Sequence, residues 1–161
     1  MKKLGVLFAA ILMMVSFTAI KAQKIAHADV AGILDALPEM QKAQKELEEF
    51  SKVKQNEIQK MSEALQKKVE DYRKAGQPDA AKEAAFQKEN DQIQQMAEAA
   101  QKDLLDKQNT LFAPIDQKLR DAVDAVGKEK GYEYILDGNS QAIIFRNGPD
   151  ATDDIKKKLG L

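Results

Sequence analysis

Between Pro38 and Lys74 the apolar residues recur in steps of three and four. They are Met40, Ala43, Leu47, Phe50 and Val53, then Ile58, Met61, Leu65, Val69 and Tyr72. That spacing keeps one face of an α-helix apolar, and no Gly or further Pro interrupts it. It predicts a single amphipathic helix of roughly 55 Å. The one step of five, from Val53 to Ile58, predicts a slip of the stripe, with Lys54 and Glu57 where a strict heptad would carry apolar side chains. Ala75-Gly76-Gln77-Pro78-Asp79 is a break. Gly76 suits a left-handed C-terminal cap, and Pro78 with Asp79 suits the opening of a new helix. A second stripe follows, through Ala81, Phe86, Ile93, Met96, Leu104, Leu111, Ile115, Leu119 and Val126. Long helices joined by a short loop pack antiparallel. Folding about Gly76 and Pro78 as the tip pairs residues whose numbers add to about 153. The expected hairpin core is then Met40, Leu47, Phe50, Ile58, Met61 and Leu65 against Phe86, Ile93, Met96, Leu104 and Phe112. Pro114 removes one helical hydrogen bond while the periodicity resumes at once, which predicts a hinge rather than a stop.

The pattern changes at both ends. Residues 24–30 alternate weakly and read as a strand, followed by a short apolar helical turn over 31–37. After Gly127 to Gly131 closes the long helix, residues 132–137 and 142–146 are β-rich and are joined by Gly138-Asn139-Ser140-Gln141, a hairpin signal. Thr152 is placed to cap a last short helix, with Asp153 and Asp154 early and Lys156, Lys157 and Lys158 late, as the helix dipole favours. The class is α+β: a long antiparallel coiled-coil hairpin over 38–113 on a small β body built from 23–37 and 114–161. Three short strands leave open edges, which closing the sheet across several copies would cure. The apolar body residues at stake are Ile25, Val30, Tyr134, Ile135, Leu136, Ile143, Ile144 and Phe145.

Composition narrows the chemistry. The 161 residues include no Cys and one His, which excludes disulfides and thiol chemistry and leaves no multi-His metal site. His27 lies in the first strand and reads as an ordinary strand position. The carboxylates interleave with Lys as solvated helix faces, and neither a phosphate loop nor a nucleophile motif is present. The reading is not an enzyme, and no cofactor is expected. Lys2 and Lys3 precede the apolar run Leu4 to Ile20, and no acid occurs before Asp29. This is the form of a secretory signal peptide over 1–22, cut after Ala22 to leave Gln23 first and no membrane anchor. Removing 1–22 takes away Lys2, Lys3 and Lys21 and no acid, so 22 basic and 26 acidic residues remain, net −4. An acidic chain gives no support to nucleic-acid binding.

Lys24-Ile-Ala-His-Ala-Asp-Val30, then Ile33-Leu34 and Leu37-Pro38-Glu39, resembles the opening of the Skp/OmpH family of periplasmic chaperones. So do Ala113-Pro114-Ile115 with Ala122-Val123, and the C-terminal order Tyr132–Asp137, Ala142–Phe145 and Asp150-Ala-Thr152. The resemblance covers all of the chain after the signal segment. It implies a periplasmic homotrimer whose β body carries three hairpins as tentacles. These would enclose a cavity that holds unfolded outer-membrane proteins without nucleotide. Within the tentacle, Val53 and Leu105 fall off the seam and are the candidates for contact with such clients. The chain departs from the family's strongly basic members: residues 39–75 carry nine basic and eight acidic residues, and 79–112 carry four and seven. The resemblance is not extended to a lipopolysaccharide site. The alternative reading is a non-catalytic coiled-coil spacer or adaptor of the envelope.

Overall fold

The computed structural model describes residues 24–161, so the expected signal segment lies outside the described residues. Strand β1 (Ile25–Ala28) leads into helix α1 (Val30–Ala36), whose N-cap Asp29 accepts from the Gly32 N–H at 2.8 Å. Leu37 is extended, as a residue before Pro must be, and Pro38 opens helix α2 (Pro38–Ala75) at the position where a missing N–H costs nothing. Gly76, at φ 68°, ends it in the left-handed conformation that other residues resist. Asp79 caps helix α3 (Ala80–Lys130) by accepting from the N–H groups of Ala81 and Lys82. Helix α3 runs without interruption through Pro114 to Gly131. Strand β2 (Tyr134–Asp137) and helix α4 (Thr152–Leu159) complete the order.

The two long helices form the expected hairpin. Its register differs by a few residues from the expected one. Lys54 reaches Asp103 and Lys68 reaches Glu89, both at 2.8 Å. Residue n of α2 therefore stands level with residue 157 − n of α3 over this stretch. Nor does the stripe slip at Val53. Phe50 and Ile58 both face the seam, and the turn between them belongs to residue 54. Lys54 fills it with its alkyl stem, carrying its ammonium to Asp103 and to within 5.4 Å of the Phe50 ring centre. Val53 is left outside.

At the tip, the Tyr72 hydroxyl accepts from the Asp79 N–H at 2.6 Å and lies 3.0 Å from a Glu83 carboxylate oxygen. Its ring meets Phe86 edge-on at 5.4 Å. Tyr72→Phe keeps the ring contact and removes the clasp. Amide exchange over 76–83 is expected to accelerate several-fold in that variant, with the melting temperature almost unchanged. Equal exchange in the two proteins would remove the clasp's role.

The core sits at the open end of the hairpin, where the chain ends return. Ala26 and Ala28 of β1, Ile33 and Leu37, Met40 and Ala43 at the root of α2, Ile115 to Val126 of α3, and Ile155 and Leu159 of α4 make one buried cluster. The small side chains of β1 let helices pack closely over it. β1 pairs with β2 in parallel, Ile25 opposite Tyr134 and Ala28 opposite Asp137. Parallel neighbours need a long crossover, and here the whole helical hairpin is that crossover. On its other side β1 bonds the chain at 149–151: the His27 N–H donates to the Pro149 carbonyl and the Ala151 N–H to the His27 carbonyl.

Three local expectations are corrected by this arrangement. Val30 starts α1 instead of ending a strand, and packs half-buried against the core. Residues 142–146 form no strand on β2. Consecutive turns divert them: the Ser140 N–H donates to the Asp137 carbonyl, the Ile143 N–H to the Ser140 carbonyl, and Arg146 Nη1 to the Gly138 carbonyl. Thr152 is the first helical residue of α4 and not its cap. Its hydroxyl instead joins the chain ends, accepting from the Asp29 N–H at 2.9 Å and donating to Asp150.

Asp150 also accepts from the Thr152 N–H, at 2.9 Å. The Thr152 hydroxyl first, and then this backbone bond, hold its carboxyl below the usual carboxylate range. A depressed folded-state pKa adds stability above the unfolded value, and that stability is lost as pH falls through the folded one. Asp150→Asn is therefore expected to lower the melting temperature at pH 7 and to lower it by less near pH 3. Equal losses at both pH values would contradict this sign.

Candidate functional site

No group of three or more His, Asp or Glu side chains poised for a metal occurs among the described residues. His27 Nδ1 lies 3.9 Å from Asp150 in an otherwise structural setting. The features left to explain are surfaces, and there are two.

The first is on the body. Ile144 is 99% and Phe145 83% exposed. Ile25, Tyr134 and Leu136 are exposed beside them in sequence or along the two paired strands, while Ile135 and Ile143 are half-buried. Among the described residues nothing pairs the outer edge of β2. A single chain thus buries the helical side of its small sheet and leaves apolar side chains and a strand edge uncovered. This combination marks an interaction surface.

The second is along the hairpin. Met40 is buried, and Leu47, Phe50, Ile58, Leu65, Phe86, Ile93, Met96, Leu104 and Phe112 are half-buried along the seam. Met61, expected among them, is 41% exposed. Val53 and Leu105 are 53% and 61% exposed and stand within one residue of the same level. Two grooves open where small residues thin the seam. One of about 400 Å³ at the root is floored by Ala43, Leu111, Pro114 and Ile115. One of about 250 Å³ at mid-length is lined by Ile58, Ala97, Ala100 and Leu104. Glu39, Glu46 and Lys118 rim the root groove, Glu39 paired with Lys118 and Glu46 with Lys107. Each Lys donates to its Glu and holds that carboxyl below the usual range. Such exposed pairs orient the helices more than they stabilise them.

The sequence match decides the family. The family model described as Outer membrane protein (OmpH-like) matches residues 24–159. The chain belongs to the OmpH-like family. Its relatives include the protein named Chaperone protein Skp from Pectobacterium atrosepticum, 29% identical over 143 residues and covering 86% of each chain. The protein of the same name from Yersinia enterocolitica is 30% identical over 146 residues, covering 87% of this chain and 88% of its own. The OmpH-like match spans both strands, the hairpin and α4. The α+β hairpin architecture is therefore that of an OmpH-like protein, and no helix among the described residues is long and apolar enough to cross a membrane.

Among the described residues, what sequence reasoning missed is the polar knot of Asp29, Asn139, Asp150 and Thr152 that ties β1 to the C-terminal helix. Asn139 Nδ2 donates to Asp29 at 2.6 Å, and Thr152 bridges Asp29 and Asp150. Its only trace in sequence is a set of turn-forming residues far apart along the chain.

Proposed function

We propose that this chain is an ATP-independent holding chaperone of the periplasm. In this reading three copies join through the body, and the hairpins hang from it as tentacles around a cavity. Unfolded outer-membrane β-barrel proteins are held there and kept from aggregating. The divisions at 37/38 and 113/114, with Pro114 as the hinge, mark where body gives way to tentacle.

The observation that carries the reading is a family match over residues 24–159 in a chain that leaves several apolar side chains uncovered. Ile144 and Phe145 lie bare on the body, and Val53 and Leu105 on the hairpin. The relatives' name, Chaperone protein Skp, supports the same conclusion. Physically, such a device does no chemistry. It offers a client many small apolar contacts and walls that separate one client from the next. Export and signal cleavage after Ala22 supply the compartment.

The test is direct. A urea-denatured outer-membrane barrel protein is diluted into buffer with the purified 23–161 protein and no nucleotide, and light scattering is followed. Scattering is expected to fall as chaperone is added, saturating near three chains per client. Unchanged scattering would favour a structural spacer or adaptor.

A further inference from the structure

The chain has no Cys, so methionine alone carries its sulfur. Three methionines lie among the described residues. Met40 is 8% exposed and closed into the core of the body. Met61 on α2 is 41% exposed, and Met96 on α3 is half-buried.

The ion pairs of the hairpin fix where the last two stand. Lys54 of α2 meets Asp103 of α3, and Lys68 meets Glu89, both at 2.8 Å. Met61 is seven residues from each of these lysines, and Met96 is seven residues from each of these carboxylates. Seven residues make two helical turns to within about 20°, so each methionine returns to the flank of its helix that carries the ion pairs. Met61 and Met96 therefore stand level on one flank of the seam, midway between the two pairs. Two thioethers occupy the place where the rungs on either side hold a cation and an anion. Among the described residues no ion pair crosses the seam between those rungs. Apolar contact holds the stretch instead, with Ile58 and Leu65 of α2 and Ile93 of α3 half-buried in it.

We propose that Met61 and Met96 form a paired oxidation site, at which a hydroperoxide converts the outer hairpin from a sealed to a loosened state. A sulfur lone pair attacks the terminal oxygen of the peroxide. The S–O bond forms as the O–O bond breaks. The departing hydroxide or alkoxide takes up the proton that the transferred oxygen carried, leaving water or an alcohol. Sulfur is oxidised and the peroxide is reduced. A thioether is apolar and yielding, whereas the sulfoxide is polar and seeks hydrogen bonds. On two level residues of one seam it draws water between the helices and removes the apolar contact that joined them. Met40 is shut away from the same reagent, so the body stays closed. Methionine sulfoxide reductases, one for each sulfoxide epimer, reverse the change.

The purified 23–161 protein is exposed to hydrogen peroxide and sampled over time. Peptide mass spectrometry follows each methionine, and amide exchange is measured on the same samples. Met61 is expected to oxidise first, about ten-fold or more faster than Met40, with Met96 between them. Once both seam methionines are sulfoxides, exchange over 58–65 and 93–100 should rise several-fold, while that of β1 and α4 stays as before. Treatment with the two reductases should return it to its starting value. Met61→Leu with Met96→Leu keeps the seam apolar, and in that protein peroxide should leave exchange unchanged. Met40 oxidised as fast as Met61 overturns the selectivity. Exchange that ignores both sulfoxides, or that rises equally in the Leu variant, overturns the loosening. These readouts need neither a client nor a particular number of copies, so the holding function stands or falls separately.

Discussion

Ile144→Asp is expected to convert the assembled protein into folded monomers. The side chain is almost fully exposed in the single chain, so an aspartate there meets water and the monomer's core is untouched. In an assembly that covers it, the same carboxylate is buried without a partner, at a cost of about 3 kcal/mol or more in each copy. Light scattering at micromolar concentration should give the mass of one chain, with far-UV circular dichroism showing the helices intact. Ile33→Asp is the contrasting case. Ile33 is wholly buried between α1 and the rest of the core, so that variant should lose the body itself. An Ile144→Asp protein that keeps the mass of the unsubstituted one would remove residues 142–146 from the interface.

The proposed assembly also bears on what the sequence could and could not say. Both long helices were legible because their periodicity is local and their ends carry strong punctuation: Pro38, Gly76, Asp79 and Gly131 each stand at an end. The β body was less legible. Ala142-Ile-Ile-Phe145 has every local preference for a strand, yet in one chain it stays irregular. Strand pairing is a property of the partner as much as of the segment. β1 already has two neighbours, β2 and the chain at 149–151, and the turns after Asp137 turn residues 142–146 away from the β2 edge. Parallel pairing across more than a hundred residues has no local signature at all.

The stripe of α2 gave a subtler lesson. Counting apolar residues kept Val53 in the periodic run but off the seam, and made Lys54 an interruption. Helical geometry changes the reading of Lys54, because Phe50 and Ile58 leave only residue 54 facing inward between them. A lysine serves there since its stem is apolar and Asp103 and the Phe50 ring receive its charge. The same geometry puts Val53 outside. Its exposure needs no special device.

In the proposed function, replacing Val53 and Leu105 by Ser is expected to weaken the holding of an unfolded barrel protein at least ten-fold. Both side chains are more than half exposed, so their truncation leaves the hairpin's own packing nearly unchanged. Covering such a side chain with client is worth about 1 kcal/mol, and the two together about 2 kcal/mol in each tentacle. Every 1.4 kcal/mol is a factor of about ten in the dissociation constant. Salt should matter less. The chain after the signal segment is net −4 and α2 is nearly balanced, so no strong positive field draws clients in. Apolar burial is not screened by ions, whereas attraction between exposed charges fades beyond about 8 Å at physiological ionic strength. Raising salt to about 0.5 M should leave the equilibrium affinity within a few-fold. Fluorescence titration of a labelled client at low and high salt measures both effects on one scale. The outcome that sinks this account is binding abolished by salt and indifferent to the two Ser substitutions while the assembly stays intact. Holding would then belong to the lysines of α2, Lys52, Lys60, Lys67 and Lys68 among them, acting as local patches on a chain whose overall charge is negative.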